Sequence, residues 1–482
     1  MPLKSKNFSP TMRFNFITFV LLWNSLAFSQ SFVGDWYGTL DAMGQKLPLV
    51  VHLSDSSGQW KGTLDSPNQG AAGIPMTNVH VEGKTLRFSI DQLRASYEGT
   101  FKEDSGIEGT FKQGAFKAPL TFSSTQPTTA APKKLQDRKE PVPYSEIEVD
   151  IPHSMENFSL SGTLSYPQQA SRDFSIKYPC IVLISGSGPQ DRNEEILGHR
   201  PFLVLADRLT LAGYSVFRYD DRGTGKSTGT FDGATSADFS TDVVSVVNYL
   251  KTMPMVDSSR VMLMGHSEGG MIANMVAAQH PEIYGVVSLA GPGIKGSDLL
   301  VEQQCLISKA VGASEKEVKK IRSFSETFYP ILTLDSLPLV RKNAEVFLTD
   351  YVKSIKKKEL KKNGIEDHNT WVQMNLSAYV NPWMLYFINY NPAFDLKNIR
   401  CHYLALNGTT DLQVPSKMNL EAISAHCNPG LGKVKRIQEL AGLNHLFQPS
   451  LTGNPNEYGS NEITFDTVAI QAILTFLDEI LH

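Results

Sequence analysis

Two changes of rhythm along the 482 residues predict an α/β protein with a mostly parallel sheet, helices on both faces and a helical insertion, preceded by a small all-β domain. Between residues 31 and 122, short segments of strand character (47–53, 79–81, 86–90 and 96–101) are separated by turn formers at Gly58, Asn68-Gln69-Gly70, Gly83 and Gly106. After about residue 144 the pattern becomes apolar strands (180–185, 215–219, 260–265, 285–290) alternating with helical stretches (202–212, 239–250, 271–279). A strand that is apolar at every position must be covered on both faces, the condition of a parallel sheet between helical layers. The alternation stops near Gly291 and resumes at 400–406 and 434–440. Residues 292–395, helix-rich and charged, therefore read as an insertion at the carboxyl edge of the sheet, where it would cap a site.

The early domain shows a weak internal repeat. Tyr97-Glu98-Gly99-Thr100-Phe101 and Ile107-Glu108-Gly109-Thr110-Phe111 share a Glu-Gly-Thr-Phe pattern expected of adjacent strands. Residues 124–143 are polar and Pro-rich without apolar period, which is linker composition. The expected organisation is thus a leader over 1–29, an all-β domain over 30–123, a linker over 124–143 and the α/β domain over 144–482.

Lys4, Lys6 and Arg13 precede an apolar run over 14–28 that ends in Ala27-Phe28-Ser29, the layout of a secretory signal peptide. The run contains Asn15 and Asn24 and falls short of the ~20 apolar residues of a spanning helix, so no stable membrane span is expected after cleavage. Export to the periplasm or medium follows. A net charge of −4 gives no reason to expect a nucleic-acid partner. The basic run 353–362 reads as a solvated helix face. The four cysteines (180, 305, 401, 427) contain no CxxC pair, so neither zinc nor another metal is expected. Cys401 opens a strand and Cys427 closes the helix running back beside it, which puts both at the lower edge of the sheet, where a bridge is conceivable.

The chemistry concentrates at Gly265-His266-Ser267-Glu268-Gly269. A G-x-S-x-G match alone is weak, but this one joins a buried strand to a small-residue helix, 269–279. Such a turn forces its central residue into strained geometry, lifts the Ser267 hydroxyl above the sheet and offers helix N–H groups to an oxyanion. A serine needs a base. Asp411 follows strand 400–406 and His445 follows strand 434–440, so both land in loops at the carboxyl ends of strands, as orienting acid and base. His426 ends a helix, His482 is terminal and Asp298 lies in the cap. For the oxyanion, the backbone N–H of Glu268 supplies one donor, and the loop Gly186-Ser187-Gly188-Pro189-Gln190-Asp191-Arg192 the other, at Ser187. Asp191 and Arg192 are expected to brace that loop as an ion pair. Arg222-Gly223-Thr224-Gly225-Lys226-Ser227 ends like a phosphate-binding loop, yet Asp220 occupies the first glycine position. It reads as a structural loop with Asp220, Asp221 and Arg222 in ion pairs.

Together with Tyr219-Asp220-Asp221-Arg222-Gly223-Thr224-Gly225-Lys226-Ser227 and Gly186-Ser187-Gly188-Pro189, this motif resembles bacterial α/β-hydrolases of the serine aminopeptidase/acyl-esterase group, and most of all exported carboxylesterases with a β-rich N-terminal domain. The resemblance covers about residues 140–482. It implies nucleophile, acid and base roles for Ser267, Asp411 and His445, no cofactor, and a small-molecule ester substrate. The chain departs from the group's usual His-Gly at the oxyanion loop, with Ser185-Gly186 instead. Three functions stay in view: an esterase acting through an acyl-enzyme; an aminopeptidase or amidase with the same triad, needing acidic cap residues such as Glu302, Glu326 or Asp350 for a substrate ammonium; and a non-catalytic binding protein. Trp383, Tyr386 and Phe387, near the end of the cap, could line an acyl or aryl pocket or simply pack the core.

Overall fold

The computed structural model describes residues 32–42, 45–66, 71–93, 95–103, 105–113, 116–125, 134–171, 175–333, 336–362, 365 and 367–481. The expected signal peptide lies outside these residues, as does His482.

Nine strands form the first sheet: β1 (Gly34–Ala42), β2 (Gln45–Ser56), β3 (Gln59–Ser66), β4 (Ala71–Pro75), β5 (Asn78–Glu82), β6 (Thr85–Ile90), β7 (Ala95–Lys102), β8 (Gly106–Gln113) and β9 (Phe116–Ser123). Their order is β4-β3-β2-β1-β9-β8-β7-β6-β5. The ladders are antiparallel, so each strand alternates, with Phe88, Tyr97, Phe111 and Phe122 buried on one face. The Glu-Gly-Thr-Phe repeats are neighbours, β7 and β8, with Gly99 opposite Gly109. Tyr97 explains the glycines. Its hydroxyl donates toward the carbonyls of Ile107 (2.8 Å) and Leu120 (3.1 Å), so its ring lies across both positions. A Cβ at Gly99 would sit 2.4 Å from the Tyr97 oxygen, and one at Gly109 2.6 Å from the ring.

The stretch that leads into the second sheet is fastened rather than free. Lys134 Nζ donates to the carbonyls of Gly459 and Asn461, both at 3.0 Å, and Gln136 bonds the backbone of Thr464 and Phe465. Asp137 pairs with Arg200 at 2.5 Å. These are polar fastenings, which apolar periodicity does not register.

The second sheet has eight strands: β10 (Tyr144–Pro152), β11 (Ser159–Pro167), β12 (Tyr178–Ile184), β13 (Ser215–Tyr219), β14 (Val256–His266), β15 (Gly285–Leu289), β16 (His402–Gly408) and β17 (Lys435–Leu440). The order is β10-β11-β13-β12-β14-β15-β16-β17. β10 and β11 run antiparallel at one edge, and every ladder from β13 to β17 is parallel. Period-2 alternation divides the central strands between two cores. Val182, Phe217, Leu263 and Tyr403 face helices α2 (Ser236–Leu250) and α3 (Glu268–Gln279). Ile181, Leu183, Met262, Met264 and Leu404 face the opposite helices, α1 (Pro201–Leu211) and α12 (Thr467–Leu481).

The insertion between β15 and β16 is helical: α4 (Gly296–Ala310), α5 (Glu315–Phe328), α6 (Leu337–Ser354), α7 (Lys357–Lys362), α8 (His368–Tyr379) and α9 (Pro382–Asn389), then the short α10 (Ala393–Leu396). It has a core of its own, with Phe328, Tyr329, Leu332, Ala344, Leu348, Val352 and Ile388 all buried. In the basic run, Lys353, Lys356, Lys357 and Lys358 are exposed. The fourth helix of the sheet, α11 (Ser416–His426), follows β16.

The conceivable Cys401–Cys427 bridge is not formed. All four cysteines are free and buried. Among the described residues no helix is long and apolar enough to cross a membrane.

Candidate active site

β14 ends at His266 and α3 begins at Glu268, leaving one residue to make the turn. Ser267 makes it at φ 55°, ψ −121°, a conformation that costs an L-residue about 1–3 kcal/mol. Crowding on either side holds it there. A Cβ at Gly265 would lie 2.0 Å from the Gly269 carbonyl oxygen, and one at Gly269 would lie 2.1 Å from that of Ile184. Ser267 N–H donates to Leu289 O at 2.8 Å, which ties the turn to β15.

β16 and β17 deliver the other two side chains. At their carboxyl ends the chains nearly touch: a Cβ at Gly408 would fall 2.0 Å from Leu443 O, and Thr410 N–H donates to that oxygen at 3.1 Å. The loops bearing Asp411 and His445 are thereby adjacent. Asn444, buried, stiffens the second by accepting at Oδ1 from the amides of Leu446 and Gln448. His445 Nε2 lies 3.0 Å from Ser267 Oγ, and His445 Nδ1 lies 2.7 Å from Asp411 Oδ2. The other Asp411 oxygen accepts from the amides of Gln413 (2.8 Å) and Val414 (2.9 Å). A carboxylate so anchored fixes the imidazole with Nδ1 protonated and Nε2 free to take the serine proton.

The expected oxyanion donors are Glu268, next to Ser267 in the chain, and Ser187, in the loop after β12. Glu268 N–H opens α3 and has no acceptor within the helix. In the loop after β12, Gly186 N–H is turned away and donates to Glu194 Oε1 at 2.7 Å. Ser187, exposed at the next position, has no protein acceptor on its N–H among the described residues. Two buried carboxylates clamp this loop. Glu194 holds Gly186, and Asp221 accepts from Ser185 Oγ (2.8 Å) and Gln190 N–H (2.9 Å). Burial pushes the Asp221 carboxyl well up, against the pull of those two donors.

Several expected pairings differ. Arg192 pairs with Asp220 and Glu148, each at 2.7 Å, and not with Asp191, which instead accepts from the amides of Asn193 and Glu195. Asp220 and Arg222 do enter ion pairs, with Arg192 and Asp242, whereas Asp221 only accepts hydrogen bonds. Lys226 N–H points to Asp220, so a carboxylate occupies the centre of the phosphate-loop look-alike.

In the cap, Trp383 Nε1 donates at 2.9 Å to Glu268 Oε1, which also accepts from Ser236 Oγ at 2.5 Å. The cap is thus hydrogen-bonded to the residue after Ser267. Burial pushes the Glu268 carboxyl up, opposed by these two donors. Trp383 stacks on Phe387 at 5.6 Å. Phe387, 7% exposed, packs with Met271, Met275 and Leu299 in the seam between cap and α3. Tyr386 stacks on Tyr390 and stays partly exposed. Of the acidic cap residues, Glu302 is engaged by Arg322 at 2.6 and 2.8 Å, while Glu326 and Asp350 are exposed. Asp298 stands at the start of α4, outside the Ser267–His445–Asp411 set. Among the described residues no cluster of His, Cys, Asp or Glu is arranged to hold a metal.

Sequence reasoning passed over Glu194 and the side chain of His266. Their only signals were a histidine inside the G-x-S-x-G motif and an acid just beyond the oxyanion loop.

An eight-stranded, mostly parallel sheet with a strained serine turn after its central strand, and acid and histidine on later strands, defines an α/β-hydrolase. Within that class the chain is similar to esterases and serine aminopeptidases. The family model for serine aminopeptidases, S33, matches residues 200–354. Esterase EstD of Thermotoga maritima is 26% identical over 268 residues, which is 53% of this chain and 61% of that protein. An uncharacterised 31.7 kDa protein of the traX-finO intergenic region in Escherichia coli is 31% identical over 116 residues, 24% of this chain and 37% of that protein. The chain therefore spans less than two thirds of the curated relatives it matches. Among solved structures, an esterase of Pyrococcus furiosus aligns at TM-score 0.41 and 15% identity, over 74% of this chain and 100% of its own. Est1E of Butyrivibrio proteoclasticus, with ferulic acid bound, aligns at 0.39 and 17%, over 69% and 99%.

Proposed function

We propose that the protein is a serine esterase that cleaves short-chain or aryl carboxylic esters through an acyl-enzyme on Ser267. The observation that carries the reading is the unbroken chain from Asp411 through His445 to Ser267, at 2.7 and 3.0 Å. In it, His445 Nε2 takes the serine proton as Oγ attacks the ester carbonyl. The oxyanion forms against the N–H groups of Glu268 and Ser187. His445 then protonates the departing alkoxide, and a water activated by the same nitrogen releases the acid. Asp411 keeps Nδ1 protonated and balances the imidazolium. Trp383 and Tyr386, both partly exposed on the last full cap helix, are the aromatic groups offered to the acyl or aryl portion.

Amide hydrolysis is the second reading, favoured by the serine aminopeptidase family match. Against it, an exopeptidase needs a free anionic anchor for the substrate amine. Glu302 is neutralised by Arg322, which also stands 3.8 Å from Glu326, and burial favours the protonated form of Glu268. Of the cap acids Glu302, Glu326 and Asp350, only the last, exposed on α6, is left without a cation beside it among the described residues.

A fluorophosphonate probe should label Ser267, and Ser267→Ala should abolish both labelling and turnover while melting like the wild type. An unlabelled wild type would restore the non-catalytic reading. On paired substrates, kcat/KM for p-nitrophenyl acetate or butyrate should far exceed that for aminoacyl-p-nitroanilides. The reverse order would make the enzyme a peptidase.

A further inference from the structure

His266 precedes the nucleophile, and its ring is buried with both nitrogens engaged. Nε2 lies 2.9 Å from the backbone carbonyl oxygen of His445, and Nδ1 lies 2.9 Å from Glu194 Oε1. A carbonyl can only accept, so Nε2 carries a proton. Glu194 Oε1 already receives the Gly186 N–H at 2.7 Å and acts as an acceptor of both bonds, so Nδ1 carries one too. The ring is then an imidazolium whose counter-ion is Glu194, itself 5% exposed. Burial pushes His266 down, but the charge and hydrogen bond of Glu194, the His445 carbonyl and the more distant charge of Asp411 outweigh it and raise it above its ordinary value.

The pair ties together both halves of the machinery. Gly186 opens the oxyanion loop, and a Cβ there would lie 3.3 Å from that of Ser267. The His445 carbonyl belongs to the general base itself, and the two imidazole rings are 4.9 Å apart. When His445 takes the serine proton, the site holds two imidazolium rings, each with its own carboxylate: Asp411 under His445 and Glu194 under His266. The groups facing His266 are Glu194, His445 and, beyond it, Asp411, with Phe447 edge-on at 6.4 Å.

We infer that Glu194 and His266 are positioning residues of the esterase, a buried carboxylate–imidazolium pair that holds the oxyanion loop and the backbone of the catalytic histidine in one hydrogen-bonded unit and sets the charge beside His445. The inference rests on the triad reading above, and Ser267 labelling in each variant separates the two. An unlabelled wild type fails the triad, whereas a labelled His266→Gln variant without the shift below fails only the pair.

The test is the pH dependence of kcat/KM on p-nitrophenyl butyrate. Glu194→Gln removes the anion that holds the charge on His266 against burial, so the ring becomes neutral, the net charge beside His445 hardly changes and the acid limb should stay near its place. His266→Gln keeps an N–H for the His445 carbonyl but leaves the carboxylate, so the limb should move to higher pH. A shift of ~0.5–1 unit is expected in His266→Gln alone, with the double variant, which removes the carboxylate as well, returning toward the wild type. In each single variant kcat should fall with little change in KM, since the loop acts on the oxyanion rather than on the bound ester. A limb that stays in place in His266→Gln, or that moves as far and in the same sense in Glu194→Gln, in variants that melt like the wild type would overturn the inference.

Should either variant fail to fold, 15N NMR of ring-labelled histidine decides on the otherwise native chain. His52, which lies between the carboxylates of Asp35 and Asp65, is also raised and has to be removed first. In His52→Gln, one ring should stay doubly protonated to higher pH than an ordinary histidine. Finding that no ring does so would refute the pair.

Discussion

Replacing Asp411 by asparagine tests the triad most sharply, because the surroundings dictate how an amide must sit. One carboxylate oxygen accepts from two backbone N–H groups, at 2.8 and 2.9 Å, and the other from His445 Nδ1 at 2.7 Å. If the new NH2 faced the two amides, two buried donors would lose their acceptor, at a cost of about 1–3 kcal/mol each. The carbonyl therefore stays on the amides and the NH2 faces His445. Nδ1 must then accept, and the ring proton moves to Nε2, where it points at Ser267 and blocks deprotonation. Reaching the productive tautomer costs the two lost bonds, about 2–6 kcal/mol, or about 30- to 10⁴-fold in rate. Loss of the charge that balances the imidazolium adds to this, so a fall of about 10⁴ is expected, as in serine-protease triads changed the same way. The assay is kcat/KM on p-nitrophenyl butyrate, alongside a thermal melt that should stay near wild type because both amide bonds survive. Activity within tenfold of wild type would refute the assigned role of Asp411.

Gly269→Ala should lower stability by about 1–3 kcal/mol and reduce activity, because the added methyl meets backbone atoms of β12 that lead into the oxyanion loop. Gly285→Ala, whose methyl meets nothing closer than 3.4 Å, should melt near wild type in the same experiment. For Asp220, burial raises the carboxyl, but hydrogen bonds from Arg192 and the amides of Lys226 and Arg192 bring it below its ordinary value, and Glu148 is drawn down to about 2. Depressed carboxyls stabilise the fold above their unfolded values and cease to do so as pH falls through the folded ones, so denaturant midpoints should drop between about pH 4 and pH 2. Arg192→Gln should weaken the protein at pH 7, by up to about 3–5 kcal/mol for a buried charge left unpaired, and flatten that acid loss. We further propose that the protein is exported and begins at or near Gln30. Intact mass of periplasmic or secreted material that still includes Met1 would refute it.

The convergence of Ser267, Asp411 and His445 was legible because each lies just past the carboxyl end of a strand: Ser267 and Asp411 follow the buried runs of β14 and β16, and His445 follows the edge strand β17, in which only Leu440 is buried. The buried parallel strands were legible as continuous apolar runs. The antiparallel edge was not, although Tyr144–Pro152 alternates buried Val149 and Ile151 with exposed neighbours, since so short a period-2 run stands out less than a continuous apolar one. Pairings across the fold were out of reach. Arg192 was read with its neighbour Asp191, yet its partner Asp220 arrives directly after β13, which the parallel sheet sets beside β12 and the loop that follows it. Glu194 and His266 meet only once β12 and β14 lie side by side. Residues 134–138 read as free linker because the contacts that hold them are hydrogen bonds and an ion pair.

The cap carries its own apolar centre and meets the catalytic body through a narrow seam around Phe387, Leu299, Met271 and Met275, with the Trp383–Glu268 hydrogen bond beside it. Such an arrangement separates two kinds of evolutionary constraint. Substitutions inside the cap's helices are absorbed locally and need no repacking of the sheet, so the roof over the serine is free to diversify while the triad stays put. The seam is the exception, because a change there is felt at the nucleophile's turn. Swapping caps between related enzymes should therefore succeed when Trp383 and its acceptor on the elbow are transferred as a pair.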